Sequence, residues 1–203
     1  EREAINILQK IGYKADGNQN NYRSMVRSGG LRIYTTIHRK IYDQMNKATD
    51  GMYFPKRRIH GKECREQVGA VLIDNKTGAI LSFYAGTNFK ENEKDHAFEA
   101  ANQPGSSIKP LLAYGPAINE GLITKDTTIV DEPLTKAYSS DVYVNANKRY
   151  SGAKSVAYAL QWSLNIPAVK VFRQLGIQRG FDYLRNMDLP PHKWDGEASV
   201  LGG

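Results

Sequence analysis

A serine followed three residues later by a lysine is the strongest chemical signal in this chain. In Gln103-Pro-Gly-Ser-Ser-Ile-Lys-Pro110, Ser106 follows a Pro-Gly turn and Lys109 comes three positions on. Side chains three residues apart share one face of a helix, so the Lys109 amine can take the proton of the Ser106 hydroxyl. A serine is a weak nucleophile until an adjacent base activates it. The spacing predicts Ser106 as the nucleophile; Ser107, two residues from Lys109, is turned away from it.

Lys109 has to lose its proton before it can act as a base. The unperturbed pKa of lysine is about 10.4, and burial or nearby positive charge lowers it. The flanking Ile108, Leu111 and Leu112 indicate an apolar neighbourhood that permits such a shift. A helix-capping serine beside a surface lysine is the alternative interpretation of the same spacing.

A second polar pair, Ser163 and Asn165, lies where one predicted helix ends and the next begins. A serine hydroxyl at such a point can relay protons, and a carboxamide can hold a substrate amide. Helix capping is again the alternative. The functional interpretation therefore requires this pair to lie beside Ser106 and Lys109.

The tripeptide Lys76-Thr77-Gly78 is assigned to a turn and excluded from the site. It lies between two apolar runs, 68–74 and 79–85, and Asn75 with Gly78 is typical of a hairpin turn.

The remaining pattern predicts a chain of mixed helix and strand. A further half-buried strand is predicted at 31–37, where apolar residues alternate. Helices are predicted near 1–11 and at 38–49, 107–121, 153–164 and 167–175, with a further short helix through 181–184. A polar loop at 16–21, a basic loop at 51–65 and an irregular segment at 122–152 complete the prediction.

Composition restricts the classes of function. The 203 residues, 40% hydrophobic and 24% charged, are typical of one or two globular domains. No apolar run approaches the roughly 20 residues of a membrane span. Cys64 is the only cysteine, which excludes an internal disulfide, and the four histidines are not spaced as metal pairs. The net charge of +7 favours polyanionic partners, but apart from residues 56–58 the basic side chains are scattered, so no nucleic-acid face is predicted.

These segments together resemble the penicillin-binding transpeptidase family, whose motifs are Ser-x-x-Lys, Ser-x-Asn and Lys-Thr-Gly. The similarity is closest to its bifunctional class A members. It covers the chain from about Gly30 onward and is carried by segments 30–36, 71–78, 103–110, 143–152 and 163–169. The resemblance implies an α+β fold, an antiparallel sheet flanked by helices with a helical insertion. It implies that residues 1–65 are a small α/β linker between a glycosyltransferase and a transpeptidase domain, and that 66–203 begin the transpeptidase domain.

The resemblance also implies an activity and partners. Ser106 would attack the D-alanyl-D-alanine bond of a peptidoglycan stem peptide, with Lys109 as base, Ser163 relaying the proton and Asn165 holding the substrate amide. A second stem peptide would resolve the acyl-enzyme, whereas β-lactams would leave it stable. The expected location is extracytoplasmic, at the bacterial membrane or cell wall. No cofactor, metal or nucleic acid is expected.

The chain departs from the family after Asn165, because no Lys-Thr-Gly follows it. We therefore expect the chain to be part of a longer protein, with the membrane anchor and the remaining half of the transpeptidase domain elsewhere. The resemblance implies that the backbone N–H of Ser106 donates one hydrogen bond to the reaction's oxyanion. The missing half would supply the third motif and the second such donor. We expect residues 1–203 alone neither to cross-link nor to acylate at a useful rate.

Two alternatives remain open from the sequence. A β-lactam hydrolase or sensor of the same fold would differ in acyl-enzyme lifetime, and no glutamate is assignable to deacylation. A basic module that binds wall polymers or other polyanions would be indifferent to penicillin and to loss of Ser106.

Overall fold

The computed structural model describes residues 2–13, 19–87, 94–193 and 195–203. Within these ranges it contains seven α-helices and eight short strands. The helices are α1 (Arg2–Lys10), α2 (Gln19–Ser28), α3 (Arg39–Asp50), α4 (Gly115–Asn119), α5 (Val156–Gln161), α6 (Asn165–Leu175) and α7 (Ile177–Asn186). The strands are β1 (Lys56–Ile59), β2 (Lys62–Arg65), β3 (Ala70–Ile73), β4 (Ile80–Tyr84), β5 (Thr128–Asp131), β6 (Leu134–Thr135), β7 (Val142–Tyr143) and β8 (Gly152–Ser155). They pair antiparallel as β1–β2, β3–β4, β5–β8 and β6–β7.

The chain divides into two units, residues 1–100 and 101–203. In the first unit, α3 packs against β4. The rings of Tyr42 and Phe83 meet edge to face, 5.3 Å between centroids, and Asn46 Nδ2 donates to Phe83 O at 3.0 Å. Tyr84 OH donates to Asp50 Oδ1 at 2.8 Å, and burial, with that bond, raises the pKa of Tyr84 to about 12. These contacts cover one face of β4, whereas three of the four β3 residues are exposed.

The predicted turn at Lys76-Thr77-Gly78 is confirmed between β3 and β4. Asp74 accepts hydrogen bonds from Lys76 N at 2.9 Å and Thr77 Oγ1 at 3.0 Å, and these bonds lower the pKa of its carboxyl. Gly78 has a φ of +73°, which glycine adopts without steric penalty. Residues 76–78 thus have a structural role in the turn between β3 and β4.

The strand predicted at 31–37 is wrong. This segment forms no strand, and Leu31 and Ile33 are exposed. Only its end reaches β4, through Thr36 Oγ1 to Ile80 O at 2.7 Å, followed by His38 N to Leu81 O at 2.8 Å. Alternation of apolar residues produces a strand only where a neighbour supplies ladder hydrogen bonds. Of the polar loop predicted at 16–21, residues 16–18 lie outside the described residues, and 19–21 begin α2.

The basic loop predicted at 51–65 is also wrong, because it contains the β1–β2 hairpin. His60 and Gly61, between the strands, have φ values of +50° and +78°. Positive φ at both central residues is the type I′ hairpin geometry. All eight strand residues are exposed, so no buried face revealed the strands in the sequence.

The second unit holds the main apolar core, with α6 at its centre. Ile166, Val169 and Phe172 of α6 are fully buried and pack with residues of the neighbouring helices. The other buried core residues are Leu112, Ala113, Tyr114, Ala117, Ile123, Tyr143, Val156, Ala168, Val171, Leu175, Phe181, Leu184 and Val200. Residues 197–201 form a 3₁₀ helix that packs on α6. Within the described ranges, no helix combines the length and apolarity that a membrane crossing requires.

The helix predicted at 107–121 is present, but its type changes along the run from Gly105 to Asn119, here called the serine helix. It begins as a 3₁₀ turn (Gly105–Ile108), widens to a π-helix (Pro110–Tyr114) and ends as α4. Pro110 and Pro116 lack the N–H that a regular α-helix uses, and Gly115 N donates to Pro110 O five residues back. Helical propensity located the element, but the two prolines decide its pitch.

The predicted start of the next helix and the irregular character of 122–152 need correction. Residues 128–131 form β5 and pair with β8, which occupies the first residues of the helix predicted at 153–164. Ser155 Oγ accepts a hydrogen bond from Tyr158 N at 3.2 Å, so this N-cap starts α5 at Val156. The strands are two to four residues long, too short to show a clear alternation.

We predict that Gly180→Ala destabilises the second unit by about 1–2 kcal/mol. A Cβ at this position in α7 would lie 2.5 Å from Phe172 Cε2 and 2.8 Å from Leu112 O. The clash outweighs the better helix propensity of alanine, about 1 kcal/mol. Gly196→Ala is the matched control, since its Cβ would have no atom within 4 Å. Thermal unfolding of both variants checks this; equal or greater stability of Gly180→Ala would contradict the packing.

Candidate active site

The Lys109 amine is enclosed by oxygen atoms from the junction between α5 and α6. Lys109 is fully buried. Its Nζ donates to Ser163 O at 2.8 Å, Ser163 Oγ at 3.1 Å, Asn165 Oδ1 at 2.8 Å and Leu164 O at 3.4 Å. The serine helix supplies the lysine and the α5–α6 junction supplies the acceptors. The structure therefore brings together three of the four residues predicted for the site.

Burial lowers the pKa of Lys109 from 10.5 to about 8. At pH 7 about one molecule in ten then carries the neutral amine, which is the form that accepts a proton. The folded state has the lower pKa, so between pH 8 and 10.5 the unfolded chain binds more protons at this residue. The contribution of Lys109 to stability accordingly rises with pH across that window.

Ser106 lies one helical turn before Lys109 and is exposed. Its carbonyl accepts the Lys109 backbone N–H, but no described residue, Lys109 included, forms a hydrogen bond with Ser106 Oγ. Ser107 Oγ instead donates to Pro104 O at 2.6 Å, which ties it to the start of the turn. Of the two neighbouring serines, Ser106 is the one whose hydroxyl is available.

The junction between α5 and α6 turns at Ser163, whose φ is +51°. Ser163 N donates to Leu160 O at 3.0 Å and Leu164 N to Ala159 O at 2.9 Å, which ends α5 in a left-handed cap. This conformation costs a non-glycine residue roughly 1–2 kcal/mol. It directs both oxygens of Ser163 to Lys109. The prediction that Ser163 and Asn165 lie where one helix ends and the next begins is confirmed: Ser163 follows α5, and Asn165 is the first residue of α6.

Two buried polar residues support Asn165, and the sequence interpretation did not single them out. Asn145 Oδ1 accepts the Asn165 backbone N–H at 2.7 Å. Asn145 Nδ2 in turn donates to both carboxylate oxygens of Asp131, at 2.9 and 2.8 Å. Asp131 had no signal beyond the polar composition of segment 122–152, whereas Asn145 lies in segment 143–152, which carries part of the family resemblance.

Gly202 supports the turn that carries Ser106, which the sequence interpretation also missed. Gly105 N donates to Gly202 O at 3.2 Å. Gly202 has a φ of +80°, and a Cβ there would lie 2.0 Å from Gly105 O. Backbone packs directly on backbone at this point, so a side chain would displace the turn.

A cavity of about 1070 Å³ in the second unit is lined by residues that include Tyr143, Arg173 and Glu197, but by none of the four predicted site residues. Glu197 is held by Arg173, whose hydrogen bond is the main cause of its lowered pKa. The candidate site is the buried Lys109 amine with its oxygen acceptors, which lies outside this cavity. Within the described part of the chain, no group of three or more His, Cys, Asp or Glu residues is arranged to hold a metal ion.

Residues 68–192 match the family model described as penicillin binding protein transpeptidase domain. The chain belongs to this family. The resemblance seen in the sequence is thereby confirmed, and so is the α+β fold class of a partial transpeptidase domain. The boundaries 1–65 and 66–203 remain predictions.

Curated relatives of this transpeptidase-domain chain include penicillin-binding protein 1A/1B of Bacillus subtilis, 32% identical over 97% of the chain and 20% of the relative. Penicillin-binding protein 4 of the same organism is 31% identical over 79% of the chain and 24% of the relative. Penicillin-binding protein 1A of Clostridium acetobutylicum is 31% identical over 82% and 22%. The chain thus spans a fifth to a quarter of these relatives.

Solved structures of the family share the fold. Penicillin-binding protein 1A from Haemophilus influenzae matches with a TM-score of 0.61 and 25% identity, over 71% of this chain and 23% of that one. PonA1 from Mycobacterium tuberculosis matches with a TM-score of 0.69 and 24% identity, over 98% and 51%.

We predict that Ser163→Gly removes the Ser163 hydroxyl while keeping the left-handed backbone conformation of this residue in the transpeptidase domain. Glycine relieves the left-handed strain but adds backbone entropy to the unfolded chain, so stability should change by less than about 1 kcal/mol. If the Ser163 hydroxyl relays a proton, as the sequence predicts, acylation of Ser106 by a penicillin should nevertheless slow by about 10-fold or more. Thermal unfolding and acylation rates of the intact protein check both parts. An unchanged acylation rate would show that the Ser163 hydroxyl takes no part in the reaction.

Proposed function

We propose that the protein containing this chain is a serine D,D-transpeptidase that cross-links peptidoglycan stem peptides and is acylated by β-lactams. The observation that carries the proposal is the buried Lys109 amine, bonded to Ser163 and Asn165 and one turn from Ser106. A buried lysine of lowered pKa, one helical turn from a serine whose hydroxyl is available, is the combination that can activate that serine. Family membership supplies independent support.

In the acylation step, Ser106 Oγ attacks the carbonyl carbon of the D-alanyl-D-alanine bond while its proton passes to the neutral Lys109 amine. That amine keeps two N–H donors for its oxygen acceptors and offers its lone pair to the serine. The backbone N–H of Ser106 donates to the developing oxyanion, an interaction worth roughly 3 kcal/mol in comparable sites. In substrate-free enzymes the hydrogen bond between nucleophile and base is often long or poorly aligned, and it tightens when the substrate binds.

Collapse of the tetrahedral intermediate needs a proton on the departing D-alanine amine. Ser163 Oγ, 3.1 Å from Lys109 Nζ, can pass the lysine proton to it. Asn165 holds the substrate amide in place. The amine of a second stem peptide then attacks the ester, forming the cross-link and restoring Ser106. When water replaces that amine, the same steps give a carboxypeptidase.

The ligands and location follow from the same proposal. Stem peptides are the substrates and β-lactams are the acylating inhibitors; PonA1 from Mycobacterium tuberculosis, a structural neighbour, has been solved in complex with penicillin V, which supports this ligand class. Peptidoglycan lies outside the cytoplasm, so the proposed site of action is the extracytoplasmic face of a bacterial cell. The rest of the catalytic domain and a membrane anchor are proposed to lie beyond these residues.

We predict that a fluorescent penicillin labels the intact protein at Ser106. Ser106→Ala should abolish labelling, and Lys109→Met should slow it by about 100-fold or more, because the base is lost. Ser107→Ala is the matched control and should label normally, since its hydroxyl serves the local turn. Gel fluorescence gives the rate and peptide mass the labelled residue.

Labelling that persists in Ser106→Ala, or an equal loss of labelling in Ser107→Ala, would contradict the assignment of Ser106 as the nucleophile. The lifetime of the adduct separates this proposal from a hydrolase. An acyl-enzyme that persists for hours fits a transpeptidase, and release within seconds contradicts the proposal.

A further inference from the structure

A buried carboxylate lies two hydrogen bonds from Asn165. Asp131, at the end of β5, is 1% exposed. Its oxygens accept Asn145 Nδ2 at 2.9 and 2.8 Å, and Oδ2 also accepts Ser151 N at 2.8 Å. In the described part of the chain, neither a lysine nor an arginine forms an ion pair with it. The charge of Asp131 is therefore directed at the Asn145 carboxamide and a backbone N–H.

The carboxylate, together with the carbonyl of Arg149, determines which way the Asn145 side chain faces. An ionised carboxylate only accepts hydrogen bonds, so the Asn145 NH₂ group has to face it. The same NH₂ group donates to Arg149 O at 2.8 Å. Asn145 Oδ1 is left facing the opposite way, where it accepts the Asn165 backbone N–H at 2.7 Å. Asn145 is 3% exposed, so water does not compete for this orientation.

The Asn165 side chain is oriented by the same segment. Its Nδ2 donates to the carbonyl of Val144, the residue before Asn145, at 2.8 Å. This leaves Oδ1 as the end that faces Lys109 Nζ, at 2.8 Å. A reversed carboxamide would point N–H groups at the lysine ammonium, an arrangement of donor against donor. Residues 144 and 145 thus hold Asn165 at both its backbone and its side chain.

We infer that Asp131 is a positioning residue: through Asn145 it fixes the Asn165 carboxamide against Lys109. The inference rests on the function proposed for Lys109. Without the carboxylate, the Asn145 NH₂ group keeps only the Arg149 carbonyl as acceptor, and its hold on the Asn165 backbone N–H weakens. The α5–α6 junction then relaxes, and the lysine loses the oxygen that aims its amine.

This arrangement has a consequence for the pH dependence of Ser106 acylation. The groups facing the Lys109 amine are uncharged and belong to Ser163, Leu164 and Asn165. The only carboxylate among these hydrogen-bonded residues is that of Asp131. Burial is the main cause of the raised pKa of Tyr114, and the charge of Asp131 raises it further. Loss of one acceptor disfavours the ammonium, so the pKa of Lys109 falls and its neutral form is less well aimed.

The test is the pH–rate profile of Ser106 acylation by a fluorescent penicillin, measured in the intact protein. Asp131→Asn, nearly the same size as aspartate, should lower the plateau rate about 10-fold, as expected when a catalytic group is misplaced. The ascending limb on the acid side of that plateau, where Lys109 loses its proton, should shift to lower pH than in the unsubstituted protein. In an Asn165→Ala background the substitution should add less than about 2-fold, because both changes act on one path. Asp126→Asn is the matched control: this exposed carboxylate pairs with neighbouring Lys125 and should have no effect.

The outcomes separate the inference from the proposed function. If the unsubstituted protein is not acylated at Ser106, the proposed function is wrong. If it is acylated and Asp131→Asn has the same rate and profile, only the inference is overturned. A slower variant with an unshifted limb, whose effect multiplies with that of Asn165→Ala, would give Asp131 a structural role and also overturn it.

A second variant covers failure of Asp131→Asn to fold. Asn145→Ser keeps the Asp131 carboxylate and its hydrogen bond from Ser151 N, and removes the carboxamide that links it to Asn165. The same slower plateau and shifted limb would support the inference. If neither variant folds, the network serves stability and the positioning role is rejected.

Discussion

A lysine amine buried among uncharged oxygens is the feature on which the rest of this site depends. Lys109 is fully buried, and its four acceptors are two carbonyls, a hydroxyl and a carboxamide. Oxygen acceptors satisfy the ammonium, but desolvation penalises its charge, and desolvation is the cause of the lowered pKa. The balance yields an amine that stays bonded in place and has a pKa of about 8, so that about one molecule in ten carries it neutral at pH 7.

Helix α6 links this site to the rest of the second unit. Asn165 begins the helix, and near its other end Arg173 Nη2 donates to Glu197 Oε1 at 2.8 Å and to Thr135 O at 2.8 Å. Tyr143 OH donates to the same glutamate oxygen at 2.9 Å. Glu197 opens the 3₁₀ helix that leads to Gly202, which contacts the turn before Ser106. Both sides of the site are thus fixed by one helix and its partners.

The sequence predicted the parts of the site that depend on local spacing. Ser106 and Lys109 lie one turn apart on a single helical run, and the β3–β4 turn is encoded by adjacent residues. Asp131 and Asn145 act on Asn165 from distant positions, 20 residues separating Asn145 from Asn165, and no local pattern marks such a contact. The β1–β2 hairpin was not predicted because its strands are exposed on both faces, so their sequence shows no apolar alternation. The false strand at 31–37 shows the reverse error, an alternation that finds no partner.

The pKa of Lys109 tests this account most directly. It can be measured in the intact protein with ¹³Cε-labelled lysine, following the chemical shift from pH 6 to pH 11 and assigning the resonance by its loss in Lys109→Met. The account predicts a midpoint near 8, because the amine is desolvated. A midpoint near the ordinary lysine value of about 10.4 would contradict it.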